Sequence, residues 1–206
     1  MKRVLVVMSV LFLVAYSPSE ASAQWWNSGL PGEDRVTVGI FGGQLSPSTT
    51  YRDGSSFDSG TMLGGDVTFW MHRNLGLRAS VSSGTTDAQA TPEGEVSIID
   101  GTDPRNLIYL VDARFRYPMM TGDAFMLVPY AALGGGWKEY HFDRVGLYDA
   151  SRFAMALSGG SEIRFGQEGH FGLRGELRNV RSKLDIFGED GRQSDWLFSV
   201  GAIVSF

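Results

Sequence analysis

The sequence predicts an all-β protein, an eight-stranded antiparallel up-and-down transmembrane β-barrel, and three observations lead to it. Apolar side chains alternate with polar or small ones in eight separate segments. Short and long connections alternate between those segments. The chain also ends on an alternating run, in which Trp196, Phe198, Val200, Ala202, Val204 and Phe206 hold every even position.

The first residues read as an export signal. Lys2 and Arg3 precede an apolar stretch from Val4 to Tyr16, and Ala21-Ser22-Ala23 supplies a small-x-small cleavage site. The predicted organisation is a signal peptide over 1–23, a periplasmic N-terminal segment over 24–34 and a barrel over 35–206. No later apolar run approaches the roughly 20 residues of a membrane-spanning helix. Barrel strands need only about 9–11 residues with alternate apolar positions, so they escape such a scan.

The strands follow in order. Arg35 to Leu45 sets Val36, Val38 and Ile40 against Thr37, Gly39 and Gly43. Thr61 to Trp70 sets Leu63, Val67 and Phe69 against Gly64, Asp66 and Thr68. Leu75 to Ser83 sets Leu75, Leu77, Ala79 and Val81 against Arg78, Ser80 and Ser82. Leu107 to Tyr117 is the clearest, with Leu107, Tyr109, Val111, Ala113, Phe115 and Tyr117 opposite Asp112, Arg114 and Arg116. Phe125 to Trp137 is less polar and ends in Gly134-Gly135-Gly136. Arg152 to Phe165 places Phe153, Met155, Leu157, Ile163 and Phe165 opposite Ser158, Glu162 and Arg164. Phe171 to Val180 places Phe171, Leu173 and Leu177 opposite Arg174, Glu176 and Arg178. Trp196 to Phe206 is the eighth.

Residues 71–74, 118–123 and 166–170 are hairpin-sized turns, whereas 46–60, 84–105, 138–151 and 181–195 read as long polar loops. Short turns on one side and long loops on the other are the pattern of an outer-membrane barrel. Aromatic residues gather near the strand ends, as amphipathic rings do at a membrane interface. Phe69, Trp70, Phe115, Tyr117, Phe165, Phe171 and Phe206 form one predicted girdle; Tyr109, Trp137, Phe153 and Trp196 form the other. A soluble ligand-binding barrel would invert this arrangement and bury the charged face against its cavity.

The chain contains no cysteine, which excludes disulfides, thiol catalysis and thiolate metal sites. A net charge of -5 leaves no basic stripe for nucleic acid. Turning the apolar faces outward assigns Asp66, Arg78, Asp112, Arg114, Arg116, Glu162, Arg164, Arg174, Glu176 and Arg178 to the lumen. A barrel of eight strands is just wide enough for side chains to fill it, so these arginines and carboxylates are expected to pair across the interior. The alternative is a narrow, arginine-lined path for a small solute, or entry of a hydrophobic molecule from the loops.

The export signal, eight segments, loop asymmetry and terminal Phe206 resemble the small outer-membrane barrels typified by OmpA's transmembrane domain, OmpX and the opacity-type proteins. Val128-Pro-Tyr-Ala-Ala-Leu-Gly-Gly-Gly136 and Gly172-Leu-Arg-Gly-Glu-Leu-Arg178 are the internal stretches most like them. The resemblance implies a monomer in the outer membrane of a diderm bacterium, with both barrel termini periplasmic. It further implies that the assembly machinery reads Phe206 with Val204, Ala202, Val200 and Phe198. Outer-membrane lipids and lipopolysaccharide are the implied partners, with Arg144, Arg181, Lys183 and Arg192 at the height of the phosphates.

Eight-stranded barrels also include lipid A deacylases and palmitoyltransferases, whose chemistry needs a histidine within hydrogen-bonding reach of a serine. Only His72, His141 and His170 exist here, and the first and last fall in short turns. His141 with Asp143, and Ser151 or Ser158, form the sole conceivable set, without those families' His-x-Ser or Asp-Ser pairings. The acidic stretch with Asp87, Glu93, Glu95, Asp100 and Asp103 lacks cation-loop spacing. The expectation is therefore no catalytic, cofactor or metal site, and a structural or loop-mediated role in membrane stabilisation, lipopolysaccharide contact or surface contact.

Overall fold

The computed structural model describes residues 35–48, 56–86, 88–89, 105–120, 125–141, 150–166, 169–186 and 189–206. Their long strands are β1 (Val36–Pro47), β2 (Gly60–Trp70), β3 (Leu75–Thr85), β4 (Arg105–Arg116), β5 (Phe125–His141), β6 (Ala150–Phe165), β7 (Phe171–Ile186) and β8 (Glu189–Ser205). Each pairs antiparallel with its sequence neighbours, and β1 pairs β8 from Thr37↔Ser205 to Pro47↔Asp195. The sheet thus closes into an eight-stranded up-and-down barrel, which satisfies every strand edge internally as a lipid environment requires. Two-residue strands Ser56–Phe57 and Ala88–Gln89 pair with one another, and Met119–Met120 folds back on β5. The signal peptide and N-terminal segment predicted from the sequence lie outside the described residues.

One end of the barrel carries the short turns and the chain terminus; the other carries the longer connections. At the turn end, the Met71 and His72 amides both donate to the Leu75 carbonyl at 3.0 Å. Asn74 Nδ2 donates to the Arg116 carbonyl at 2.8 Å, tying this turn to β4. Gly166 and Gly169 hold φ of 77° and 64° in the β6–β7 turn, the left-handed region that side chains with a Cβ disfavour. The Arg35 amide donates to the Phe206 carbonyl at 2.7 Å, and the Phe206 amide donates to the Val36 carbonyl at 2.8 Å. The final residue is therefore part of the closing seam.

The side chains are distributed inside out. Ile40, Leu63 and Phe198 are 68%, 71% and 56% exposed, while Arg78, Arg114 and Glu162 are fully buried. An apolar exterior around a charged interior is stable in hydrocarbon and not in water, which rules out the soluble-barrel arrangement.

The sequence reading of two loops needs correction. The segment 138–151 contributes Lys138–His141 to β5 and residues 150–151 to β6, and most of 181–195 is strand. β7 and β8 continue as a ribbon to Ile186↔Glu189, beyond the last β1–β8 pair. Strands β5 to β8 consequently run to 16 or 17 residues, against 11 or 12 for β1 to β4. The extensions lose the apolar outward phase by which the spanning segments are read, since Arg181, Lys183 and Asp185 continue the phase of Leu173 and Leu177.

Candidate functional site: the lumen

The ten charged residues assigned to the interior from the sequence all point into the lumen, none more than 5% exposed. They fall into two groups. In the central group, Arg78 on β3 reaches three other walls. Its Nε donates to Asp112 Oδ1 at 2.8 Å, its Nη1 to Glu176 and its Nη2 to Ser158 Oγ at 3.2 Å. Glu176 also accepts from Arg178 Nε at 2.8 Å and from the Tyr130 hydroxyl at 2.7 Å. Arg178 Nη1 donates to Ser80 Oγ at 3.2 Å. Arg174 clasps Asp66 with both terminal nitrogens. A Cβ on Gly39 would come within 3.0 Å of Arg174 Nη2 and 3.1 Å of Asp66 Oδ2, so glycine there leaves the pair its room. This group sets three arginines against three carboxylates.

The second group lies toward the turn end and gathers Arg114, Arg116 and Arg164 around Glu162. Glu162 accepts from Arg114 Nη2 at 2.5 Å and from Arg164 Nε at 3.0 Å. Aromatic faces meet two of these arginines. The Arg114 guanidinium lies 3.6 Å from the Tyr130 ring centroid and 5.6 Å from that of Trp70, and Arg116 stacks 3.6 Å over Trp70. The negative π face attracts a cation most where water is excluded. Arg114 Nε and Nη1 have no hydrogen-bond acceptor, consistent with this stacking. Arg116 Nε donates to the Arg73 carbonyl at 2.8 Å.

Trp70 does not belong to the girdle predicted for it. It is buried in the lumen, and its Nε1 donates to Thr37 Oγ1 at 3.0 Å. Alternation alone places it inward with Asp66 and Thr68; its aromatic character suggested the interface instead.

Nearer the loop end, the lumen changes character. Phe41 and Leu45 on β1, Met62 on β2, Ile108 and Leu110 on β4, Ala154 and Ala156 on β6, Val180 on β7 and Leu197 on β8 form one buried apolar cluster. Gly134 and Gly136 on β5 let β4 approach closely, since a Cβ there would collide with the Val111 or Tyr109 carbonyl oxygen. Beyond this cluster lies a polar cap. Lys138 pairs with Asp195 across the lumen, and the Tyr140 hydroxyl donates to Gln193. The Lys138 ammonium lies 4.5 Å from the Tyr140 ring centroid.

The sequence reading missed both the apolar cluster and the cap. Continued alternation was the available signal: Trp137 faces outward, so Lys138 faces inward, and Trp196 outward implies Asp195 and Leu197 inward.

The predicted assembly residues sit on the outer face of β8. Phe206, Val200, Phe198 and Ala202 are exposed, and Val204 is half-buried. Arg181 is exposed, and its Nε donates to Asn179 Oδ1 at 3.0 Å. Lys183 and Arg192 occupy directly opposed register positions on β7 and β8. Arg144, Asp143 and the acidic residues Asp87, Glu93, Glu95, Asp100 and Asp103 lie outside the described residues.

Of the residues considered for catalysis, Ser151 lies opposite Glu139 on the strand beside His141, Asp143 lies outside the described residues, and Ser158 is apart from them. Ser158 accepts from Arg78 within the lumen, whereas His141 is at the loop end with its Nε2 3.9 Å from Glu139 Oε2. His170 Nδ1 lies 3.1 Å from the Ser205 carbonyl oxygen, beside the closing seam. Among the described residues, no group of three or more histidine, aspartate or glutamate side chains could hold a metal ion.

Comparisons with known proteins agree on the scaffold. No curated protein matches the sequence. Among solved structures, Neisserial surface protein A is similar with a TM-score of 0.52 and 16% identity, over 87% of this chain and 100% of that one. OprG of Pseudomonas aeruginosa follows at 0.50 and 16%, over 86% and 99%. The outer membrane enzyme PagL matches at 0.40 and 13%, over 82% and 99%, a likeness too loose to carry chemistry across. The profile of the outer membrane protein beta-barrel domain matches residues 8–203, nearly the whole chain. With its closed barrel, lipid-compatible exterior and ion-paired interior, this chain belongs to the outer membrane protein β-barrel domain family.

Proposed function

We propose that the protein is a sealed, non-enzymatic structural barrel of the outer membrane, acting through its wall and its loop end and not as a conduit. The observation that carries this reading is the burial and pairing of the lumen charges, from Arg78 with Asp112 and Glu176 to Arg114 with Glu162. Ion pairs that bridge β3, β4, β6 and β7 brace the wall from within, while breaking one would strand a charge in a space without water. An open path for a solute would need these partners to separate. Planar-bilayer recording of the purified barrel is the test: a flat baseline is expected, and discrete channels altered by neutralising Arg114 or Glu162 would establish the pore reading instead.

In this reading, both barrel termini and the short turns face the periplasm, and the ribbon of β7 and β8 rises from the outer surface. Arg181 and the register-paired Lys183 and Arg192 lie just beyond Trp196 of the aromatic ring, where lipopolysaccharide phosphates would offset their mutual repulsion. Phe206 and its alternating partners on β8 form the strand presented to the assembly machinery. Phe206→Ala is expected to lower the amount of protein in the outer membrane of cells while leaving refolding into detergent unchanged. Equal loss in both settings would make Phe206 a stability residue only.

A further inference from the structure

The lumen has two features that could close it, and they differ in how they treat a proton or a small ion. The charged groups form a run of polar contacts from Arg164 through Glu162 and Arg114, across the Tyr130 ring, to Glu176, Arg178 and Ser80. Such a run offers polar partners to an ion or a water along its length. The Lys138–Asp195 pair at the other end is a second polar station. Between the stations lie Leu45, Met62, Ile108, Leu110, Val180 and Leu197, all buried and in mutual contact as one cluster.

We propose that this apolar ring is a dry septum that insulates the two polar parts of the lumen and is the element that seals the barrel to protons and ions. The proposal rests on the sealed-barrel reading and deepens it, by assigning the seal to hydrocarbon and the bracing to charge. The septum lies level with the loop-end aromatic ring, because Trp137 adjoins Lys138 and Trp196 adjoins both Asp195 and Leu197. The hydrocarbon inside is therefore aligned with the edge of the hydrocarbon outside.

The packing explains how the ring closes on seven walls, while on β3 the buried Ser80 and Ser82 stand opposite Leu110 and Ile108. Large side chains come from β1, β2, β4, β7 and β8, and opposite them β6 supplies only Ala154 and Ala156 while β5 supplies Gly134 and Gly136. Large residues fill the space that small ones leave, as a narrow barrel demands. An ion or a protonated water in this layer would find neither a charge partner nor a hydrogen-bond acceptor among those six side chains, and hydrophobic constrictions close by dewetting.

Proton flux into dye-loaded liposomes carrying the full barrel, driven by a potassium diffusion potential, tests this directly. Wild-type liposomes are expected to match protein-free ones. Leu110→Ser is expected to raise the flux by about tenfold or more, because it removes a large side chain from the ring and sets a second hydroxyl opposite Ser80. Met62→Gln, which keeps side-chain length, serves if the first variant does not show the heat-dependent gel shift of a folded barrel. Glu176→Gln breaks the charged network but leaves the ring intact, and is expected to stay tight. A leak through wild type would overturn the sealed reading altogether. Tight wild type with folded, equally tight Leu110→Ser and Met62→Gln would overturn the septum alone, as would a leak in Glu176→Gln.

Discussion

Toward the turn end the lumen is a mesh of guanidinium and carboxylate groups. Toward the loop end it is a ring of leucine, isoleucine, methionine and valine beneath a lysine–aspartate pair and a tyrosine–glutamine hydrogen bond. The mesh consists of directional contacts between groups that water would otherwise solvate, so its strength depends on every member being present. The ring consists of non-directional contacts whose loss is graded by volume. A barrel lumen can thus be filled by two kinds of packing, one bonded and one space-filling.

Removing one carboxylate should separate the two regions most sharply. Glu162→Leu leaves Arg114 and Arg164 facing each other without their shared anion, and a loss of about 3–5 kcal/mol is expected from urea unfolding in lipid. A loss below about 1 kcal/mol would mean that the Tyr130 and Trp70 faces hold Arg114 without its carboxylate. Leu110→Ala in the ring should cost less, about 2–4 kcal/mol, scaled by the cavity it leaves. If it equals or exceeds the carboxylate deletion, the distinction between bonded and space-filling halves fails.

Trp70→Phe removes a hydrogen bond to Thr37 and the better π surface beneath Arg116, for an expected loss of about 1–2 kcal/mol. The same residue gives an optical check on its side of the wall. Brominated lipids should quench Trp137 and Trp196 in single-tryptophan variants and leave Trp70 bright; quenching of all three would return Trp70 to the girdle.

The smallest effect is expected at the cap. Lys138→Met or Asp195→Leu alone strands one buried charge, yet the double replacement should fall within about 1 kcal/mol of wild type, since a buried pair rarely outperforms well-packed hydrocarbon. A strongly destabilised double variant would show that the pair braces β5 against β8 as the mesh braces its own walls.

Much of the barrel was legible in the chain. Alternation in segments such as Leu107 to Tyr117 requires only that one face meet lipid, and that constraint repeats every two residues whatever the neighbours are. Turn chemistry was local as well, as Asn74 and Gly166 illustrate. The extensions of β5, β7 and β8 were not legible, because the face that is apolar along the membrane span turns polar there, as Glu139 and His141 on β5 and Arg181, Lys183 and Asp185 on β7 illustrate. Trp70 was misplaced for a related reason: an aromatic side chain suits either an interface or a guanidinium, and its phase in the strand was the better guide.

By itself the sequence determined the strand count, the face of each strand and the ten lumen charges, since these follow from side-chain polarity and a period of two. Only the tertiary structure decided who pairs with whom and where the lumen turns dry. Arg174 meets Asp66, not its register neighbour Glu162, and Lys138 meets Asp195 from a distant part of the chain. Those choices depend on the stagger of strands around the closed wall and on glycines that make room, and neither is a property of any one segment.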